Sequence, residues 1–148
     1  MNTQTSPTNL DLPSRVVTGW TLAAGLGSLA MGLWGFCWPF GFFEDFPVPG
    51  AGWVSTLGDY NEHLVRDFGA AQIGLGLAAA ITAFQRSREG TVAILSGFIV
   101  FGLLHLGYHL ATFHHFSTGS ALAQATVLLT FIAIPSGILS TLRKQKGN

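Results

Sequence analysis

Apolar residues fall in four long blocks along this chain, separated by short polar punctuation. They do not show the period-two alternation of half-buried strands or the single stripe of a soluble helix. The blocks cover about 16–38, 64–84, 91–113 and 121–142. Each is close to the roughly 20 residues that a helix needs to cross a bilayer. The breaks between them are Pro39 to His63, the run Gln85-Arg86-Ser87-Arg88-Glu89, and His114 to Gly119. The pattern predicts an all-α protein, an integral membrane four-helix transmembrane bundle. A polar tail (1–15) precedes it and a basic tail (143–148) follows. Pro135 lies inside the fourth block, where lipid tolerates a kink if neighbouring helices or Ser136 satisfy the freed carbonyl.

Charge strengthens this picture. Asp, Glu, Lys and Arg make up 9% of the chain, against about 25% in soluble domains. None occurs from Gly90 to Leu142, or between Arg15 and Glu44. A soluble domain of this size cannot be built without charged surface. Arg15, Arg86, Arg88, Arg143, Lys144 and Lys146 fall on one side of a four-span arrangement and Arg66 alone on the other. The positive-inside rule then places both termini in the cytoplasm of a cell (inner) membrane. Glu44, Asp45, Asp59, Glu62 and Asp67 lie on the opposite side, with an aromatic belt of Trp34, Trp38, Trp53, Tyr60 and Tyr108. The polar N-terminal segment has no basic residue before Arg15 and does not read as a signal peptide, so the first span is expected to be retained. Net charge is zero, which leaves no basic patch for nucleic acid. The single cysteine, Cys37, allows no intrachain disulfide and no Cys-based metal motif.

Small residues four apart share a helix face and let helices approach closely in lipid. Ala24, Ser28 and Gly32 do so in the first span and Ala70, Gly74 and Ala78 in the second, so these two spans are expected to pack tightly. The long connection contains Phe40-Gly41-Phe42-Phe43 and Phe46-Pro47-Val48-Pro49-Gly50. It can lie in the interface as an anchor or fold over the bundle mouth as a lid; the anchor is the simpler reading.

One polar constellation interrupts the apolar pattern. His63, Arg66 and Asp67, with Asn61 and Glu62 beside them, share one face at the start of the second span. His105 and His109 share a face in the outer half of the third, next to Tyr108, and His114 and His115 follow. His105 stands about 10 Å inside its span at 1.5 Å per residue. Ionisable groups at such depth are expected to face protein and to be paired, Asp67 with His105 or His109 and Arg66 with Glu62 or a lipid phosphate. Four outcomes stay open. His63, Asp67, His105 and His109 offer ligands for a transition metal ion. A single histidine can hold a b-type haem. The carboxylate, histidine and arginine near an aromatic mouth can bind a quinone headgroup or relay protons. A hydrogen-bonded network that sets helix register needs no ligand. There is no Gly-x-Ser-x-Gly, His-Glu-x-x-His or phosphate-binding glycine loop to mark a soluble enzyme class.

The stretch Tyr60 to Gly69, together with His105-Leu106-Gly107-Tyr108-His109, resembles small four-span bacterial membrane proteins of DoxX-like layout, whose members carry an acid–arginine motif at a helix start. The resemblance implies the four-span fold. It also implies quinone-coupled oxidation or an accessory role in a membrane complex, as for some members, while the histidines here go beyond the general pattern. The soluble parts are too small for independent chemistry. The leading expectation is therefore an accessory or scaffold subunit of a larger membrane complex, such as a respiratory one, or a homo-oligomer. The second is a redox-related protein that binds a metal, haem or quinone through the His/Asp cluster.

Overall fold

The computed structural model describes residues 13–145. Most of the N-terminal tail, and Lys146, lie outside the described residues. The chain forms α1 (Arg15–Cys37), a short α2 (Pro39–Asp45), α3 (Glu62–Gln85), α4 (Arg88–Thr112) and α5 (Thr118–Gln145), with single 3-10 turns at Ser55–Leu57 and Phe113–His115. Among the described residues there is no strand. Four helices, α1, α3, α4 and α5, are long and apolar enough to cross a membrane. Large apolar side chains such as Leu26, Leu33, Phe84, Leu104 and Leu129 point outward along them, as expected of a surface solvated by lipid tails.

Local chemistry sets the helix starts. The Ser14 side chain accepts a hydrogen bond from the Val17 amide, Asn61 from Leu64 and Ser87 from Gly90, satisfying amides that have no partner inside the helix. Asn61 thus draws Glu62 and His63 into the first turn of α3. The α3–α4 connection turns at Arg86, whose φ of 50° is left-handed, a region that costs a side-chain-bearing residue about 1 kcal/mol or more. Its guanidinium offsets this by donating to the Pro13 carbonyl at the start of α1. In α5, Pro135 leaves the Phe131 carbonyl without its usual amide donor. The Ser136 hydroxyl donates instead to Ile132, one residue further on, at 2.8 Å.

The helices associate as two pairs. Along α1 and α3 the backbones touch: a Cβ added at Gly69 would stand 2.6 Å from the Phe36 nitrogen, and one at Gly76 would stand 2.7 Å from the Gly25 carbonyl oxygen. The tight packing of the first two spans is therefore present, and Ser28 and Gly32 lie within it. The second expected stripe is not. Ala70, Gly74 and Ala78 face outward, and α3 instead presents Val65, Gly69, Gln72, Gly76, Ala79 and Ala83. Small residues occur on both faces of α3, and the regular spacing of four lies on the outer one, because Gln72 and Ile73 interrupt the inner set. In α4 and α5, Gly102 receives the Ile132 side chain, and Phe98 meets Phe131 edge-on at 5.4 Å.

The two pairs meet at one end only. Where α1 starts and α5 stops (the termini end), Val17, Ala79, Leu95, Phe98, Leu139 and Leu142 form the buried core. Arg88 donates to the Leu142 carbonyl there, joining α4 to α5. At the opposite, loop end the pairs stand apart, and the α1–α3 connection folds between them. Phe42 and Phe43 of α2 are buried, and rings of Trp34, Phe42, Phe46, Trp53 and Phe68 touch in sequence. Asp45 accepts from the Gly50 amide and Phe46 from the Trp53 amide, which closes the loop on itself. The connection is thus a roof over the bundle mouth as well as a candidate anchor. Trp38, Phe40 and Val48 remain exposed on its outer side.

Candidate functional site

Beneath that roof, between the two helix pairs, lies a cavity of about 680 Å³. Its geometry follows from the fold: the pairs converge at the termini end and diverge above Phe98 and Phe131. Phe42, Phe46 and Trp53 hang from the roof, Val65 and Phe68 come from α3, and Phe101 and Phe131 from α4 and α5. The wall is therefore mostly aromatic and aliphatic. Its polar groups concentrate on the α4–α5 side, where His105, Tyr108, His109 and Gln124 reach the cavity, with Asn61 and Asp59 at the mouth.

The two helix histidines do come together. The rings of His105 and His109 are 4.6 Å apart and nearly perpendicular, and His105 stacks on Phe101 at 5.4 Å. His109 is buried, and Phe113 and Phe116 flank it. On α5, Gln124 is only 1% exposed. It lies beside His109, yet no atom pair between the two meets hydrogen-bond geometry: His109 Nδ1, Gln124 Nε2 and Gln124 Oε1 are all buried without a partner among the described residues. A buried polar atom left unpaired costs about 1–3 kcal/mol, and here three of them belong to two side chains that line one cavity.

The remaining candidates form a separate group. His63 Nε2 and Asp67 Oδ2 are 3.3 Å apart, with the two side chains 88% and 63% exposed, and neither lines the cavity. Asp67 thus pairs with the histidine of its own helix and not with His105 or His109. Arg66 pairs with Glu62 at 2.8 Å, as expected. It also donates to the Phe36 carbonyl and lies over the Phe36 ring. Arg66 therefore fastens α3 to the open carbonyl end of α1, a structural task that accounts for its place. Asn61 is the α3 cap. The rings of His114 and His115 lie 4.0 Å apart, tilted to each other, in the exposed turn after α4.

The four proposed ligands are consequently split two and two, and among the described residues no three His, Cys, Asp or Glu side chains are grouped to hold a metal ion. Sequence reasoning missed Gln124, the most buried polar group in the site. It was hidden because a lone glutamine in Ala-Leu-Ala-Gln-Ala-Thr carries no motif. Its one signal is that it is the only amide side chain within the apolar stretch from Gly90 to Leu142.

Comparison with known proteins finds no matching family model, no matching curated protein and no matching solved structure. The cavity has to be interpreted from its own chemistry.

Proposed function

We propose that this is a membrane protein that binds a neutral, largely apolar, membrane-dissolved molecule of the quinone class in the loop-end cavity. The observation that carries this is the pairing of an aromatic cavity with unpartnered His109 and Gln124 on one wall. Sites for small molecules are typically apolar with a few convergent polar groups that fix orientation. A ring head would pack against Phe42, Phe46, Phe68 and Phe101, with its oxygen substituents toward His105, His109 and Gln124.

The donor set argues against the other two ligands. A transition metal ion would find only the His105 and His109 pair, short of the three or four ligands such ions take. A haem would bring two propionates, and the cavity lining contains no Lys or Arg; its one formal charge is the acid Asp59. A neutral head requires no counter-ion.

The basic residues support the orientation. Arg15, Arg86, Arg88, Arg143 and Lys144 stand at the termini end and Arg66 alone at the loop end, so both termini face the cytoplasm and the cavity lies in the outer half of the membrane. Cys37 is exposed at the loop end of α1 and is therefore removed in the labelling test. A cysteine placed at Gly58 in a Cys37→Ala background should react with a membrane-impermeant maleimide on intact cells, and failure to react would reverse the orientation. A site of this kind is suited to deliver or hold its ligand for a larger membrane complex, which retains the accessory role. The resemblance to DoxX-like proteins agrees with a quinone-linked task.

The test is direct. Protein purified from its own membrane in mild detergent is extracted with organic solvent and the extract analysed for quinones. In parallel a short-chain benzoquinone is titrated while Trp53 fluorescence is followed. A co-purifying quinone and saturable quenching that disappears in Trp53→Phe are expected. An extract free of quinone together with purely collisional, non-saturating quenching would sink the proposal.

A further inference from the structure

We infer that the cavity is selective for the hydroxylated, reduced form of its ligand, and that Gln124 is the residue that sets this preference. The inference rests on the cavity being a quinone-class site and asks which redox form its walls fit.

The hydrogen-bonding inventory decides. A glutamine amide has a carbonyl oxygen that only accepts and an amino group that only donates. In Gln124 both are buried, both lack a partner among the described residues, and both belong to a side chain lining the cavity. The ligand head must therefore present a donor and an acceptor at one place. A quinone carbonyl has lone pairs only: it can take the amino hydrogen of Gln124 but leaves the amide oxygen with no donor. A phenolic hydroxyl has a hydrogen to give the amide oxygen, and its lone pairs can take one from the amino group or from a ring nitrogen of His109.

Setting makes the difference large. Gln124 sits six residues into α5, about 9 Å from that helix's start at 1.5 Å per residue. At that depth bulk water does not rescue an unpaired group, and sites built to bond a hydroxyl reject analogues that lack it far more strongly than apolar pockets reject a methyl. The aromatic rings of Phe42, Phe46, Phe68, Phe101 and Phe131 around the same space favour a planar ring as the hydroxyl's carrier over a flexible alcohol.

The experiment compares one benzoquinone with its own quinol, kept reduced under anaerobic conditions, titrated against wild-type protein, Gln124→Leu and Gln124→Met. Binding is read by calorimetry and by Trp53 quenching, and folding by thermal melting. The wild type is expected to bind the quinol at least about tenfold more tightly than the quinone, the worth of one net hydrogen bond. Both variants should bind the two forms within about twofold of each other. The methionine variant keeps the side chain's length and carries the comparison if the leucine variant fails to fold. Wild-type protein that binds both forms equally, or favours the quinone, overturns the inference and leaves the quinone-class site standing; that is also the result if water already satisfies Gln124. A quinol preference that survives in the folded variants removes Gln124 from the role. Saturable binding of neither form takes down the proposed function itself.

Discussion

The two ends of this bundle solve the same packing problem in opposite ways. At the termini end, Leu95, Phe98, Leu139 and Leu142 interlock, Arg86 and Arg88 tie helix ends together within each pair, and Thr21 and Thr91 spend their hydroxyls on carbonyls of their own helices. At the loop end the same helices diverge, a folded connection replaces side-chain contact, and Gln124 and His109 remain without partners. In lipid no hydrophobic drive brings helices together, so association depends on close contact and satisfied polar groups. Between the two pairs close contact is met at one end and not at the other, and three of the four buried polar atoms without a partner among the described residues lie at the open end; the proposed ligand site rests on that contrast.

The contrast breaks most sharply in the packed half. Phe98 is 1% exposed and holds the junction of all four helices. Phe98→Ala should cost about 3 kcal/mol through the void it leaves, seen as a large fall in the melting midpoint in mild detergent. Phe101→Ala, one turn closer to the loop end and already bordering empty space, should cost less than half of that. Equal losses would mean that the cavity is packed in solution.

Next in size is the seam of the first pair. Gly69→Leu forces a side chain into the backbone of Phe36 and Gly32 and should destabilise by about 2 kcal/mol or more. Gly74→Leu meets no atom within 4 Å, and should be neutral or should stabilise by up to about 1 kcal/mol through helix propensity. If the two variants melted in the opposite order, α3 would be packed through its other face.

These residues also show how far the sequence was readable. Helix number, approximate limits and the closeness of α1 and α3 follow from hydropathy and small residues, because lipid solvation imposes length and composition on every span. The face of α3 did not follow: glycines and alanines stand at 69, 76 and 79 on the buried face and at 70, 74 and 78 on the outer one, and only the outer set is spaced four apart. The His105–His109 pair was legible from its i, i+4 spacing. Its separation from His63 and Asp67 was not, since a short α3–α4 turn brings the helices together at one end and says nothing about divergence at the other. Gln124 was illegible for a further reason: its significance lies in what it fails to contact.

Gln124→Leu sharpens the comparison with a smaller effect of opposite sign. Removing an unpaired buried amide without leaving a hole should raise stability of the ligand-free protein by about 1 kcal/mol while abolishing quinol selectivity. A stabilised variant that no longer distinguishes the two forms is the signature of a functional site. A destabilised one would show that Gln124 is satisfied in the membrane, and the loop end would then be an ordinary packed half.

The smallest effect is expected at the residues that first drew attention. His63 and Asp67 are a mostly exposed pair on the surface of α3, where an ion pair contributes from about 0 to 1 kcal/mol and is weakened further by salt. His63→Ala and Asp67→Ala should each leave the melting midpoint nearly unchanged and leave quinone and quinol titrations indistinguishable from wild type. His105→Ala tests the opposite expectation on the same assay. Its ring stacks on Phe101 and borders the cavity, so its loss should weaken ligand binding several-fold with little change in folding. The informative result is the ratio between the two pairs. If Asp67→Ala weakened binding as much as His105→Ala, the polar face of α3 would have to turn inward when ligand binds, and the divergence of the helix pairs would be a property of the empty state alone.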